Sequence, residues 1–246
     1  MYKNIIWFDE LDSTQDYLKD ANINSLPEWT VISTRKQAKG KGQGSNVWES
    51  EQNKNLTFSI LLKPNFLSVS NQFLITQILS LGIYDFLTHY LDDVFIKWPN
   101  DIYVGKNKIC GILVNNKIIA EEYLSAICGI GININQTEFC FAPNATSLKI
   151  ELNQDLIIEN VLIEILDSIK NRYDIIKDNK IADYKREYLD KLLHYNIWAK
   201  YSFNDNNIEK NIEAKIIDVD KYGRLILENR LGKTIIADIK QLKFYI

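Results

Sequence analysis

Cysteine and histidine are scarce in this 246-residue chain, which holds three cysteines, Cys110, Cys128 and Cys140, and two histidines. There is no CxxC pair and too little histidine to complete a ligand set, so neither a disulfide framework nor a zinc site is expected, and buried thiols are the better reading. No stretch approaches the roughly 18 consecutive apolar residues that a membrane span needs. The start, MYKNIIWFDELDST, lacks a basic region followed by an apolar one, so no export signal and no membrane contact are expected, and the protein is read as cytoplasmic. An excess of cations is missing too: 29 basic residues face 32 acidic ones, for a net charge of -3. The surface as a whole is therefore not that of a nucleic-acid or membrane binder, although a local basic patch remains open. Repeats and low-complexity tracts are absent. A composition of 46% hydrophobic and 25% charged residues is that of a folded chain of one large or two unequal domains.

Periodicity divides the chain. An Asp12-Ser13-Thr14 capping cluster opens a short helix through about Asn22, and β-branched residues make Thr30 to Arg35 a strand. Leu56 to Ile60 alternates as a strand does, and Asn71 to Tyr90 repeats apolar residues at helical spacing. From Val94 to Asn135, short β runs are broken by turn residues. Helical patterns follow from Asn153 and from Ile181 to His194. After Trp198 only short strands remain, with Asp220-Lys221-Tyr222-Gly223 as a hairpin turn. The expected fold class is α+β, with a first domain over residues 1–196 and a small β-barrel over 197–246.

Three segments carry the chemistry. Arg35 to Trp48 places four cations and three alternate glycines, Gly40, Gly42 and Gly44, directly after a strand. Exposed glycine N–H groups beside lysines can cradle phosphate or carboxylate oxygens. The spacing is neither the Walker pattern nor GxGxxG, and the same composition also suits a solvated surface loop. Lys97-Trp98-Pro99-Asn100-Asp101 ends a strand in a polar turn, with Lys108 a short way on. Asp101 there could hold Mg²⁺ and Lys108 could stabilise a transferring phosphoryl group; the plain alternative is a hairpin turn. Gly129-Ile130-Gly131-Ile132-Asn133-Ile134-Asn135 alternates glycines along one strand face, which lets a flat group lie against the backbone or two strands cross tightly.

Taken together, DST at 12–14, QAKGKGQGSNVWES at 37–50, KWPNDIYV and KICGILV within 97–114, GIGININ at 129–135 and ATSL at 145–148 resemble the biotin protein ligase family, as does the C-terminal pattern GRLILENRLGKTIIADIKQLKF. The resemblance extends over nearly the whole chain. It implies a mixed sheet with helices, as in biotin and lipoate ligases, followed by a small C-terminal SH3-like β-barrel. It also implies a two-step reaction, in which biotin and ATP give biotinyl-5′-AMP and pyrophosphate, and a lysine of a biotin carboxyl carrier domain of a carboxylase then takes the biotinyl group. The resemblance further implies that ATP and Mg²⁺ are required, that biotin is a substrate and that no prosthetic group is bound.

Carried residue by residue, the resemblance assigns biotin to Ser13, Thr14, Gln15, Gln37, Lys41, Gly42, Gln43, Lys108, Gly111 and Gly131. It assigns ATP and the adenylate to Gly40, Lys41, Gln43, Asn46, Trp48, Asn100, Lys108 and Asn133, with Trp48 packed on adenine and Asn133 reading its edge. Lys108 and Asp101 are the catalytic candidates, with Asp101 also nearest Mg²⁺. Many bacterial relatives carry arginine where this loop has Lys41 and Gln43, which implies weaker retention of the intermediate. Only twelve residues precede Ser13, too few for the helix-turn-helix that some relatives carry, so no DNA-binding domain and no repressor role are expected. The resemblance allows a homodimer. A lipoate or octanoate ligase of the same superfamily and a non-catalytic nucleotide-binding module are the alternatives. From Lys39 to Val47, three glycines and four like charges counting back to Arg35 oppose a fixed conformation through ordering entropy and self-repulsion, which predicts a loop that is mobile without ligand and closes over the adenylate.

Overall fold

A computed structural model describes residues 4–44, 46–178, 184–205 and 208–245. Ser45 of the glycine segment, and Ile181, where the last helix was expected to begin, lie outside the described residues.

Seven strands form one mixed sheet: β1 (Ile5–Leu11), β2 (Thr30–Gln37), β3 (Leu56–Leu62), β4 (Val94–Lys97), β5 (Asp101–Val104), β6 (Asn107–Ile119) and β7 (Glu122–Ile132). Their order is β1-β2-β3-β7-β6-β5-β4, with β1 and β2 parallel and every other pair antiparallel. Alternation sorts the side chains by face. Along β3, Leu56, Phe58, Ile60 and Leu62 enter the main apolar core, while Leu61 joins Leu18, Ile23, Ile32 and Ile127 in a smaller cluster on the other side. The main core is closed by α2 (Phe73–Thr88) and α4 (Ile158–Lys177), the smaller one by α1 (Thr14–Asp20). The helices α2 and α4 meet at Gly82, where an added Cβ would come 2.7 Å from Ile169 Cα.

Two elements depart from the sequence expectation. β1 was not expected, because it is a half-buried edge strand whose acidic end, Asp9 and Glu10, hides the pattern. The long helix begins at Ile158 and not near Asn153. Asn153 is the left-handed cap (φ 53°) of a short helix, α3 (Leu148–Leu152), and Leu156 is then held extended by the Asn135 amide, which donates to its C=O and accepts from its N–H, both at 2.9 Å. The fifth helix, α5, spans Tyr184–Asp190.

A second, antiparallel sheet contains β8 (Trp198–Asp205), β9 (Ile208–Val219), β10 (Leu225–Asn229), β11 (Thr234–Ala237) and β12 (Leu242–Phe244), in the order β11-β10-β9-β8-β12. The β9–β10 turn is the expected one. Gly223 takes φ 86°, and an added Cβ there would lie 2.3 Å from Cδ2 of Phe73 in α2. The Trp98 indole N–H donates to the same residue's C=O at 2.9 Å. One apolar cluster runs through both sheets, from Ile96 and Trp98 to Tyr201, Ile216 and Leu225, so the change of sheet near residue 197 is not a gap in the core.

Candidate active site

Strand register builds the floor of the site. Thr34, Thr57, Gly131, Gly111, Asp101 and Lys97 stand opposite one another across β2, β3, β7, β6, β5 and β4, and Ser59, Gly129 and Leu113 form the adjacent row. This face has three glycines where its neighbours carry side chains, leaving a shallow trough. A flat group does lie on it: an added Cβ at Gly131 would stand 2.4 Å from Trp48 Cε2, and one at Gly111 3.1 Å from Trp48 Cζ3. The sequence expectation put the biotin rings against these glycines and Trp48 on adenine, whereas here the indole occupies the glycine floor. Its Nε1 is buried without a partner among the described residues. Gly129 similarly leaves room for the Gln15 amide.

Lys108 reaches this face through a β-bulge. In a regular strand, residues three apart face opposite ways, so Lys108 would point away from Gly111. The ladder between β5 and β6 instead slips, pairing Ile102 with Cys110 but Tyr103 with Lys108, and Ile109 and Cys110 both enter the core. The extra residue re-aims Lys108 into the cleft. Its ammonium sits 2.7 Å from the Asp101 carboxylate and 5.6 Å from the centre of the Trp48 ring. Its backbone is fixed from the other side, with Lys108 N–H donating to Asn144 O at 2.7 Å and Thr146 N–H to Lys108 O at 2.9 Å. Lys97, next in the row, is half-buried, and desolvation holds its ammonium below the usual lysine range, opposed by Asp101 and reinforced by Lys108. The neighbouring Tyr103 hydroxyl is pushed up to about 12 by burial and by Asp101.

At the opposite end, Ser13 caps α1, accepting from Asp16 N–H at 3.3 Å. Thr14 N–H donates to Gln37 Oε1 at 3.0 Å, and the Thr14 hydroxyl lies 2.8 Å from that of Ser59. Ser59 and Thr57 were missed by the sequence reading, although the alternation of β3 already put them on the face away from Leu56, Phe58, Ile60 and Leu62.

The cationic segment is a hairpin: Gly42 N–H donates to Asn46 O at 2.8 Å and Trp48 N–H to Gly40 O at 3.1 Å. The expected self-repulsion does not arise, because each of the four cations meets a carboxylate. Arg35 pairs with Glu159, Lys36 with Glu10 at 3.0 Å, Lys39 with Asp12 at 2.7 Å and Lys41 with Asp16 at 2.5 Å. Such solvent-exposed pairs contribute little to stability, so an incoming anion can replace one at little cost.

Every residue that the resemblance assigned to biotin, ATP or catalysis lines this one cleft except Gly40 and Asn133; Gly44 of the glycine segment does not line it either. The cleft is open to solvent and holds about 770 Å³ of space counting its open mouth. Asn133 is buried beside it and donates to Thr146 O at 2.9 Å, which ties it to the segment behind Lys108. Gly40 backs the hairpin, where a Cβ would meet Trp48 O at 2.3 Å.

Among the described residues, no group of three or more His, Cys, Asp or Glu is placed to hold a metal, and no helix is long and apolar enough to cross a membrane. Cys110 and Cys128 are buried, and burial pushes both thiols up. Cys140 is exposed, contrary to the expectation of buried thiols, because it sits in a surface turn.

Residues 7–133 match the Biotin/lipoate A/B protein ligase family. The bifunctional ligase/repressor BirA of Bacillus subtilis (strain 168) is 29% identical over 255 residues, covering 98% of this chain and 74% of that protein. Biotin–protein ligase 1, chloroplastic, of Arabidopsis thaliana is 28% identical over 221 residues, covering 87% of this chain and 57% of that one. Among solved structures, the biotin protein ligase from Aquifex aeolicus in complex with biotin and ATP has a TM-score of 0.81 at 27% identity, over 99% of this chain and 100% of that one.

Proposed function

The chain belongs to the biotin/lipoate A/B protein ligase family, and from that membership we infer that it is a biotin protein ligase that joins biotin to AMP and then to a lysine of an acceptor protein. A biotin carboxylate oxygen attacks the α-phosphorus of ATP, the bond from that phosphorus to the bridging oxygen breaks, and pyrophosphate leaves. A neutral acceptor amine then attacks the biotinyl carbonyl, AMP departs and the amine proton is released. We take the acceptor to be a biotin carboxyl carrier domain and the setting to be the cytoplasm.

One observation supports the site assignment above the others: the bulge that turns Lys108 into the cleft, at the end of a glycine floor covered by the Trp48 hairpin. An ammonium held there by Asp101 meets its largest partner charge as the new P–O bond forms, so it favours the transition state over the bound substrates. The buried Thr14 and Ser59 with the half-buried Gln37 suit the polar ureido edge of biotin, and Lys41 with the Gly42 N–H suits the phosphate. Trp48 forms one wall of the nucleotide site. Asn133 is assigned to holding the segment behind Lys108 and not to the adenine edge. Asp101 is the one acidic residue lining the cleft among those described. It would be the protein's contribution to holding a Mg²⁺ brought in with ATP, an ion that would offset phosphate charge. The five C-terminal strands, all antiparallel, are read as the small SH3-like barrel of these ligases and residues 1–196 as the catalytic unit.

Exchange of labelled pyrophosphate into ATP should require both biotin and Mg²⁺. Exchange driven by lipoate or octanoate in place of biotin would overturn the substrate assignment. Gly131→Ala should raise the KM for ATP and biotin by roughly tenfold, because its methyl group cannot share space with the indole 2.4 Å away and overpacking costs about 1–3 kcal/mol. Wild-type constants in that variant would show that close approach to this strand is not needed.

A further inference from the structure

Glu49 directly follows Trp48, and its carboxylate accepts two consecutive backbone N–H groups from a distant part of the chain, Cys140 to Oε1 and Phe141 to Oε2, both at 2.8 Å. A few residues on, the same stretch fixes Lys108, through Asn144 O and Thr146 N–H on either side of its peptide. Residues 140–146 are therefore a strap with one end on the neighbour of Trp48 and the other on the backbone of Lys108. Apolar burial does not hold the strap at its Glu49 end, since Phe141 is 89% exposed and Cys140 is exposed as well. Charge-assisted hydrogen bonds do. Further ties between these segments lie before the strap: Gln136 Oε1 accepts from Glu51 N–H at 2.9 Å and from the Asn55 amide, Asn55 Oδ1 accepts from Ile134 N–H at 3.0 Å, and Asn135 N–H donates to Lys54 O at 2.7 Å.

We propose that Glu49 is a positioning residue for adenylation, which joins the placement of Trp48 over the nucleotide to the placement of the Lys108 ammonium by holding the strap behind Lys108. The inference rests on the biotin ligase reading. It uses a carboxylate that touches neither substrate nor the reacting atoms. Misplacing a charge-stabilising group by a fraction of an ångström to 1 Å lowers rates steeply.

The test uses the full chain, with Glu49→Ala and Glu49→Gln. In biotin-dependent pyrophosphate exchange, Glu49→Ala should lower kcat by about 10- to 100-fold, while affinity for biotin alone moves by less than about twofold. Glu49→Gln keeps one acceptor oxygen and should fall between Glu49→Ala and the wild type, which also covers the case of an alanine variant that fails to fold. Hydrogen exchange supplies a second readout without turnover. Amides 140–141 should exchange faster in the variants, and the faster exchange should extend to the Lys108 amide. Faster exchange confined to residues 140–141, with kcat unchanged, would overturn the proposal by leaving Glu49 a local structural role. Absence of biotin-dependent exchange in the wild-type protein would instead refute the ligase reading. The exchange of the Lys108 amide would then still decide whether Glu49 holds the strap.

Discussion

Lys108→Ala is expected to slow biotinyl-adenylate formation by about 10²-fold or more, the cost typical of losing one preorganised donor at a developing charge. The ammonium is held on three sides. Asp101 fixes its charge at 2.7 Å, the Trp48 ring lies 5.6 Å away, and the strap pins its peptide. A group so constrained does not reorganise when the phosphoryl group arrives, and removing it takes stabilisation chiefly from the transition state. Biotin affinity should change much less than the rate. Stability should change little as well, because both partners are about 30% exposed, 31% and 27%, and such a pair contributes on the order of 1 kcal/mol or less to folding. Single-turnover formation of the adenylate, with thermal unfolding measured alongside, separates the two effects. A variant that forms adenylate at nearly the wild-type rate would take Lys108 out of the mechanism.

Cutting the chain after Asn196 should cost the fold itself. The first sheet looks self-sufficient in sequence, but its core continues into the second. Removing residues 197–246 strips Gly223 from the ring of Phe73 and leaves the buried Trp98 indole N–H without its acceptor. It also removes Tyr201 and Phe244 from His194, whose ring lies 5.9 and 6.0 Å from theirs. Uncovering large apolar side chains costs roughly 1.5–3 kcal/mol each, and an unpaired buried donor about 1–3 kcal/mol. Several such losses together approach the whole stability of a domain, about 5–15 kcal/mol. Circular dichroism should show one cooperative thermal transition for the full chain and a broad transition or aggregation for the 1–196 fragment. A fragment that melts cooperatively within a few degrees of the full chain would establish two independent units.

Features that depend on neighbours in sequence were legible before any coordinates. The Ser13 cap, the alternation of β3 and the Asp220–Gly223 turn are local, and each appears where its residues place it. The cleft residues could be grouped because their motifs are unusual at short range. What escaped depends on partners far along the chain. β1 is a strand because Val31 to Gln37 lies beside it, and Asn153 ends a helix because Asn135 holds the segment that follows. Charge counting along residues 35–41 gave repulsion, since Glu10, Asp12, Asp16 and Glu159 come from other elements. The resting place of Trp48 was hidden for the same reason: glycines mark room for a flat group without saying which one.

The single slip in the ladder at Ile109 makes the chemistry depend on a count as well as on residue types. Between Lys108 and Gly111 the chain spends one residue more than an even alternation allows, and that surplus puts the lysine and the glycine floor on the same side. An apolar replacement at Ile109 leaves the parity intact and affects only packing. Losing or gaining one residue between Lys108 and Gly111 reverses it, sending the charge toward the leucines and isoleucines of the core. The site therefore depends on the spacing between Lys108 and Gly111 as strictly as on the lysine itself, and a chain that kept the lysine but differed there by one residue would carry it on the wrong side of the sheet.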